Sequence, residues 1–138
     1  LYCDPNLYKA CKELIMELFG AEALEEREWS YGSTDMGDIS SLIPAIHPEA
    51  AGALGKPHGK DYRIADPEKT CINPAKLLVC LAYRLLSDDA EMGKQVIRAY
   101  QPVFDSKEAY FQAVNDLELS VQAVEYQEDG NVLLRFRK

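Results

Sequence analysis

Two histidines and one hydroxyl-rich turn are the residues of this 138-residue chain whose types and spacing could do chemistry. His58 lies in the polar run Pro57-His58-Gly59-Lys60-Asp61-Tyr62, and a neutral imidazole is the commonest protein donor to zinc. On composition alone, an isolated loop histidine is more often an exposed bystander than a ligand. In Gly32-Ser33-Thr34-Asp35-Met36-Gly37-Asp38-Ile39-Ser40, the side chains of Ser33, Thr34 and Asp35 can cap the turn that follows, accepting N–H groups that would otherwise lack partners. The same hydroxyls and free N–H groups can instead receive an anionic group, because a helix start favours negative charge. His47, in Ile46-His47-Pro48, can contact a ligand or simply end an extended segment with a local hydrogen bond.

From Gly32 through Ile43-Pro44-Ala45-Ile46-His47-Pro48 to Tyr62, the order and spacing resemble the end of the catalytic domain of the zinc-dependent amidohydrolases related to aminoacylase. The likeness is strongest to the branch holding aminobenzoyl-glutamate and aminoacyl-amino-acid hydrolases, and it extends over about Asp4 to Leu86. The resemblance implies that His58 is a metal ligand. The family's late ligand is a His followed by a small polar, a variable, an acidic or amide and an aromatic residue; Lys60, Asp61 and Tyr62 fit, whereas Gly59 departs. It also implies that Ser33, Thr34 and Asp35 line the cleft, with Asp35 steadying a ligand, and that His47 stands near the substrate.

The implied cofactors of the intact protein are two divalent metal ions, zinc or manganese, and the implied substrate is an N-acyl amino acid or a small peptide-like compound. A two-metal hydrolytic site needs bridging carboxylates or thiolates and a general base. In the family these come from an early Cys-x-His, a Glu-Glu pair and a second His, none of which this sequence carries in that arrangement. The expectation is therefore a fragment without catalytic residues of its own, inactive alone. Its partners would be the missing N-terminal half and the dimerisation domain of the same protein, which would make the parent a homodimer. The start at Leu1, with no initiator Met, agrees with that expectation.

Other chemistries find less support. The Glu25-Glu26 pair precedes the glycine motif with no histidine nearby and reads as a solvated face. Gly32-Ser33 lacks the Gly-x-Ser-x-Gly frame of a serine nucleophile elbow. The four cysteines at 3, 11, 71 and 80 show neither the short pairing of a zinc knuckle nor any sign of activation, and read as ordinary reduced thiols. A net charge of -8 and a pI near 4.7 repel phosphate backbones and anionic lipid, which argues against nucleic-acid and membrane-surface roles. No apolar run is long enough to span a bilayer and no secretion signal opens the chain, so a cytoplasmic protein is expected. A rival from another class remains: a non-catalytic binding or interaction module that kept the hydrolase fold.

The elements that must position these residues follow from periodicity. Asp4-Pro5 is an N-cap with proline at the first helical position, and Leu7, Cys11, Leu14, Ile15 and Leu18 recur at helical spacing up to Gly20. The acidic stretch Ala21 to Glu28 can add a short helical turn before Trp29. Leu42 to Ile46 suits a buried strand ending at Pro48. Asn73 to Leu86 predicts a helix with Ala75, Leu78, Val79, Ala82, Leu85 and Leu86 on its buried face and Lys76 and Arg84 elsewhere. Asp88 to Tyr100 and Ser106 to Leu117 predict two further helices. Ser120 to Tyr126 and Asn131 to Arg137 flank Glu128-Asp129-Gly130 as a hairpin, with Val132, Leu134 and Phe136 on one face. The expected fold is α/β, a partial mixed sheet with packed helices over residues 1–87, followed by a C-terminal helical and β-hairpin extension over 88–138.

Overall fold

The first helix forms where the capping signal says it should. In the computed structural model, which describes residues 1–26, 32–118 and 123–134, α1 runs Pro5–Phe19. The Asp4 carboxylate accepts from the N–H groups of Asn6 and Leu7 at 3.0 and 2.9 Å, and it is 2% exposed. Two of the orphan donors at the helix start are thereby satisfied inside the protein rather than by water. Asp4 also donates its own N–H to the Ala45 carbonyl at 2.8 Å, which ties the helix start to the segment after the glycine motif.

That segment is not the strand expected over Leu42 to Ile46. Pro44 has no N–H to offer a ladder, the Ala45 carbonyl is taken by Asp4, and Ile43 faces solvent, so the chain passes as irregular backbone with Ala45 buried and Ile46 packed on the core. A 3-10 turn at Ala21–Ala23 supplies the short helical turn expected after Gly20. Trp29 and its neighbours lie outside the described residues.

Among the described residues the sheet content is two antiparallel pairs. Strands β1 (Ala53–Leu54) and β2 (Arg63–Ile64) pair Ala53 with Ile64 and Leu54 with Arg63. The mixed helix-and-strand composition agrees with the expectation, while a larger mixed sheet is not formed by these residues. A π-helical turn, Glu68–Ile72, leads into α3 (Asn73–Ala99).

Helix α3 buries a different face from the expected one. Leu77 and Leu81, each 6% exposed, meet Ala10, Cys11 and Leu14 of α1, while Leu78, Val79 and Leu86 are exposed. Arg84, expected to point elsewhere, shares the buried face at the i, i+4, i+7 spacing and reaches across to Glu17 at 2.6 Å and Glu13 at 3.9 Å. The stem of the arginine thus covers apolar surface while its head pairs with α1.

The helix expected to begin at Asp88 is present as the second part of α3, after a break. Ser87 leaves helical geometry at ψ 166, and Asp88, Asp89 and Ala90 follow with φ of 52, 58 and 57. Aspartate tolerates the left-handed region better than most residues, so the Asp-Asp pair is where such a reversal costs least. Val96, beyond the break, is buried.

The chain divides into two compact units, Leu1–Phe104 and Asp105–Lys138. In the second, α4 (Lys107–Leu117) starts at Ser106, whose hydroxyl accepts from the Ala109 N–H at 3.1 Å as the cap pattern required. Strands β3 (Val124–Tyr126) and β4 (Val132–Leu134) form the expected hairpin, with Glu125 opposite Leu133. Its loop places Gly130 at φ 84, and the Gly130 N–H donates to the Gln127 carbonyl at 3.0 Å, the pattern of a three-residue loop closed by a left-handed glycine. Val132, Leu133 and Leu134 are all exposed, so neither face of β4 is covered; Phe136 and the residues around it lie outside the described range.

Candidate functional site

His58 sits in the loop that joins β1 to β2. Lys56-Pro57-His58-Gly59 forms a β-turn closed by the Gly59 N–H donating to the Lys56 carbonyl at 2.7 Å, with Pro57 at the second position and His58 third, at φ 62. Proline followed by a left-handed residue is the type II arrangement, whose third position is the natural place for glycine. A histidine there pays about 1 kcal/mol in backbone strain. Its imidazole is exposed and makes no hydrogen bond among the described residues.

The loop around it is tightly held. The Tyr62 N–H donates to the Gly59 carbonyl at 3.1 Å, and a Cβ on Gly55, at φ 97, would come within 2.4 Å of the Asp61 carbonyl oxygen. At its base, the Gly52 carbonyl accepts from both Ala65 and Asp66 at 2.9 Å. Thr70 donates its hydroxyl to the carbonyls of Ala51 and Asp66 at 3.1 and 2.8 Å, which fixes the hairpin on the π-helical turn. Gly59 itself has ordinary φ, but a Cβ there would lie 2.9 Å from the Lys56 carbonyl oxygen, a backbone atom held by the turn, so a side chain at this position would crowd it.

The glycine motif splits into an exposed half and a structural half. Ser33, Thr34 and Asp35 are exposed; Thr34 accepts from the Met36 N–H at 3.3 Å through its hydroxyl and from the Gly37 N–H at 2.9 Å through its carbonyl. Asp35 precedes the five-residue α2 (Met36–Ser40) without a side-chain cap bond, so of the candidates Thr34 makes the turn.

Sequence reasoning passed over Ser40. It is 1% exposed, accepts from the Tyr2 N–H at 3.1 Å and donates to the Gly37 carbonyl at 3.0 Å, while its own carbonyl receives the Tyr100 hydroxyl at 2.7 Å. Next to it, the Ser41 carbonyl accepts from the N–H groups of Val103 and Phe104 at 3.1 and 3.4 Å. The end of the motif is a knot that holds the chain start and the exit of α3 together, and burial with desolvation raises the Tyr100 phenol above its ordinary value.

His47 is exposed and borders a cavity of about 350 Å³, whose floor includes Cys11, Ile15 and Ile46 and whose rim includes Lys12 and Glu26. None of Ser33, Thr34, Asp35 and His58 lines that cavity. Glu26, read as part of a solvated face, is exposed yet engaged: Tyr8 donates its hydroxyl to it, and Lys12 pairs with it at 2.7 Å. The bond to Glu26 raises the Tyr8 phenol and the Lys12 ammonium, and the bonds from Lys12 and then Tyr8 lower the Glu26 carboxyl. Burial pushes up the thiol of Cys11 in the cavity floor, which makes it a poor nucleophile.

No hydrogen bond or ion pair joins His58, His47 and the Ser33 to Asp35 turn to one another, and no group of three metal-donor side chains is assembled among the described residues. These residues do not by themselves fit a two-metal centre; His58 offers one exposed imidazole on a well-held turn. Among the described residues, no helix is long and apolar enough to cross a membrane. Comparison with family models, curated proteins and solved structures found no match to this chain.

Proposed function

We propose that this chain is the latter part of the catalytic domain of a metal-dependent amidohydrolase, which cleaves the amide bond of N-acyl amino acids or small peptide-like substrates with metal-activated water. His58 contributes one ligand, and the remaining donors and the general base come from residues outside this chain. Ser33, Thr34, Asp35 and His47 are the residues proposed to stand near substrate or ligands. The observation that supports this most is the conformation of His58. A side chain kept at a position made for glycine, exposed and with its turn braced from several directions, is the kind of local cost that proteins carry at working sites.

The test is hydrolysis. The chain alone, supplied with zinc, manganese or cobalt, is expected to show no turnover of N-acyl amino acids, whereas the protein that includes its upstream region is expected to show metal-dependent turnover. Turnover by the isolated chain would overturn the fragment reading, and a full protein inert with every metal would overturn the enzyme reading. A second reading, a non-catalytic interaction module, draws support from the apolar surface that α3 leaves exposed. It predicts that the upstream region carries neither a Cys-x-His nor a Glu-Glu motif.

A further inference from the structure

We propose that the second part of α3 is an exchangeable arm, and that two copies of this chain pair by trading the segment Glu91 to Phe104, each seating it at Ser40 and Ser41 of the other. This exchange does not depend on the hydrolase reading. It starts from the break in α3, where Asp88, Asp89 and Ala90 stand in succession at φ 52, 58 and 57. In that region Cβ crowds the following carbonyl oxygen, and although aspartate tolerates it, Ala90 gains no such allowance. Three such residues in a row are strain held in place by what surrounds them. Nothing in the local sequence requires the break: Ser87 to Met92 contains neither glycine nor proline, so a continuous right-handed helix is open to the same residues.

What holds the arm back lies outside the hinge. Val96 is 4% exposed, Met92 packs on the core between α1 and α3, and the Tyr100 hydroxyl donates to the Ser40 carbonyl at 2.7 Å. Val103 and Phe104 both donate their N–H groups to the Ser41 carbonyl. The folded-back arm also comes so close that a Cβ on Gly93 would lie 2.9 Å from the Leu85 carbonyl oxygen. In a continuous helix those two residues stand about 12 Å apart along the axis, so this approach exists only in the broken form. Straightening α3 relieves the hinge and the approach at Gly93 but carries the arm off its seat, a loss that a single copy cannot make good. Two opened copies can. Each arm finds an identical seat in the other, every contact of the arm returns, and only the hinge strain is gone. The occupant is the segment already seen on the seat, supplied by another chain.

Sedimentation of the full chain from about 10 µM to about 1 mM reads the pairing, whose extent grows with concentration, and a dimer is expected at the upper end. Ala90→Gly eases the hinge and weakens the continuous helix, so the dissociation constant rises by about tenfold or more. Gly93→Ala crowds Leu85 only in the broken form and favours the helix, so the constant falls by about tenfold or more. Ser41→Cys combined with Val103→Cys then tells whose arm fills the seat, since the Val103 N–H donates to the Ser41 carbonyl at 3.1 Å. Oxidised at the low concentration, this pair closes within one chain. Oxidised at the upper concentration, it gives covalent dimers on a non-reducing gel, beyond any that the parent chain forms through its own four cysteines. A monomer throughout, in Gly93→Ala as well, overturns the proposal, as does a dissociation constant indifferent to both hinge variants. So does a bridge that closes at neither concentration, or a dimer whose bridges stay within each chain, which points to another surface such as the exposed β3–β4 hairpin.

Discussion

The hydroxyl of Tyr100 donates to the carbonyl of Ser40 at 2.7 Å, joining residues 60 positions apart and closing the first compact unit on itself. Replacing the phenol by phenyl in Tyr100→Phe leaves a half-buried carbonyl with one partner fewer, so a loss of about 1 kcal/mol in chemical denaturation is expected. Ser40→Ala should cost as much or more, because it strips the Tyr2 N–H and the Gly37 carbonyl of their partner together. A change below the precision of the measurement for both variants would show that the knot at Ser40 contributes nothing to stability.

Asp4 holds the start of α1. Asp4→Ala is expected to lower stability by about 1–2 kcal/mol, at the upper end for a cap because the carboxylate is almost wholly buried, and Asp4→Asn should keep most of the stability since its side-chain oxygen can accept the same bonds. Equal losses in the two variants, measured by urea denaturation, would mean that charge rather than capping geometry is at work.

The two faces of α3 make opposite predictions. Leu81→Ala removes a side chain packed on α1 and should cost about 2–5 kcal/mol, whereas Leu78→Ala, at an exposed position, should change monomer stability by less than about 0.5 kcal/mol. Thermal and urea denaturation separates the two. Reversed costs would restore the face expected from periodicity.

That contrast shows what the sequence could and could not reveal. Asp4-Pro5 and Ser106 marked their helix starts because capping depends on the neighbouring few residues, and the Asp129-Gly130 hairpin was equally local. The face of α3 was not legible, since Leu77 and Leu81 on one side and Ala75, Val79, Ala82 and Leu86 on the other offer apolar residues around the helix, and the choice is made by where α1 docks. Ser40 and the expected strand at Leu42 to Ile46 failed for a related reason: their partners, Tyr2, Tyr100 and Asp4, lie far away in sequence. Of the candidate site, loop placement was legible; the left-handed turn at His58 and the cavity that takes in His47 but not His58 were not.

Alkaline pH provides a further check. Tyr8 and Tyr100 both have phenols raised above the ordinary value of 10.0, Tyr8 by its bond to Glu26 and Tyr100 by burial. The folded protein therefore holds these protons more tightly than the unfolded chain, so their contribution is complete below about pH 10 and is lost as pH rises through the folded values. Denaturation midpoints should fall as pH rises above about 10, less steeply in Tyr100→Phe. An identical slope in the variant would exclude Tyr100 as a source.

The most direct measurement is the metal content of the purified protein that includes this chain and its upstream region, compared with the same protein carrying His58→Gly. Glycine suits the third position of the type II turn, so folding should be preserved to within about 1 kcal/mol, relief of left-handed strain offsetting the added chain freedom. The account predicts bound divalent metal in the parent and loss of at least part of it, together with activity, in the variant. Metal content and turnover unaffected by His58→Gly would contradict it.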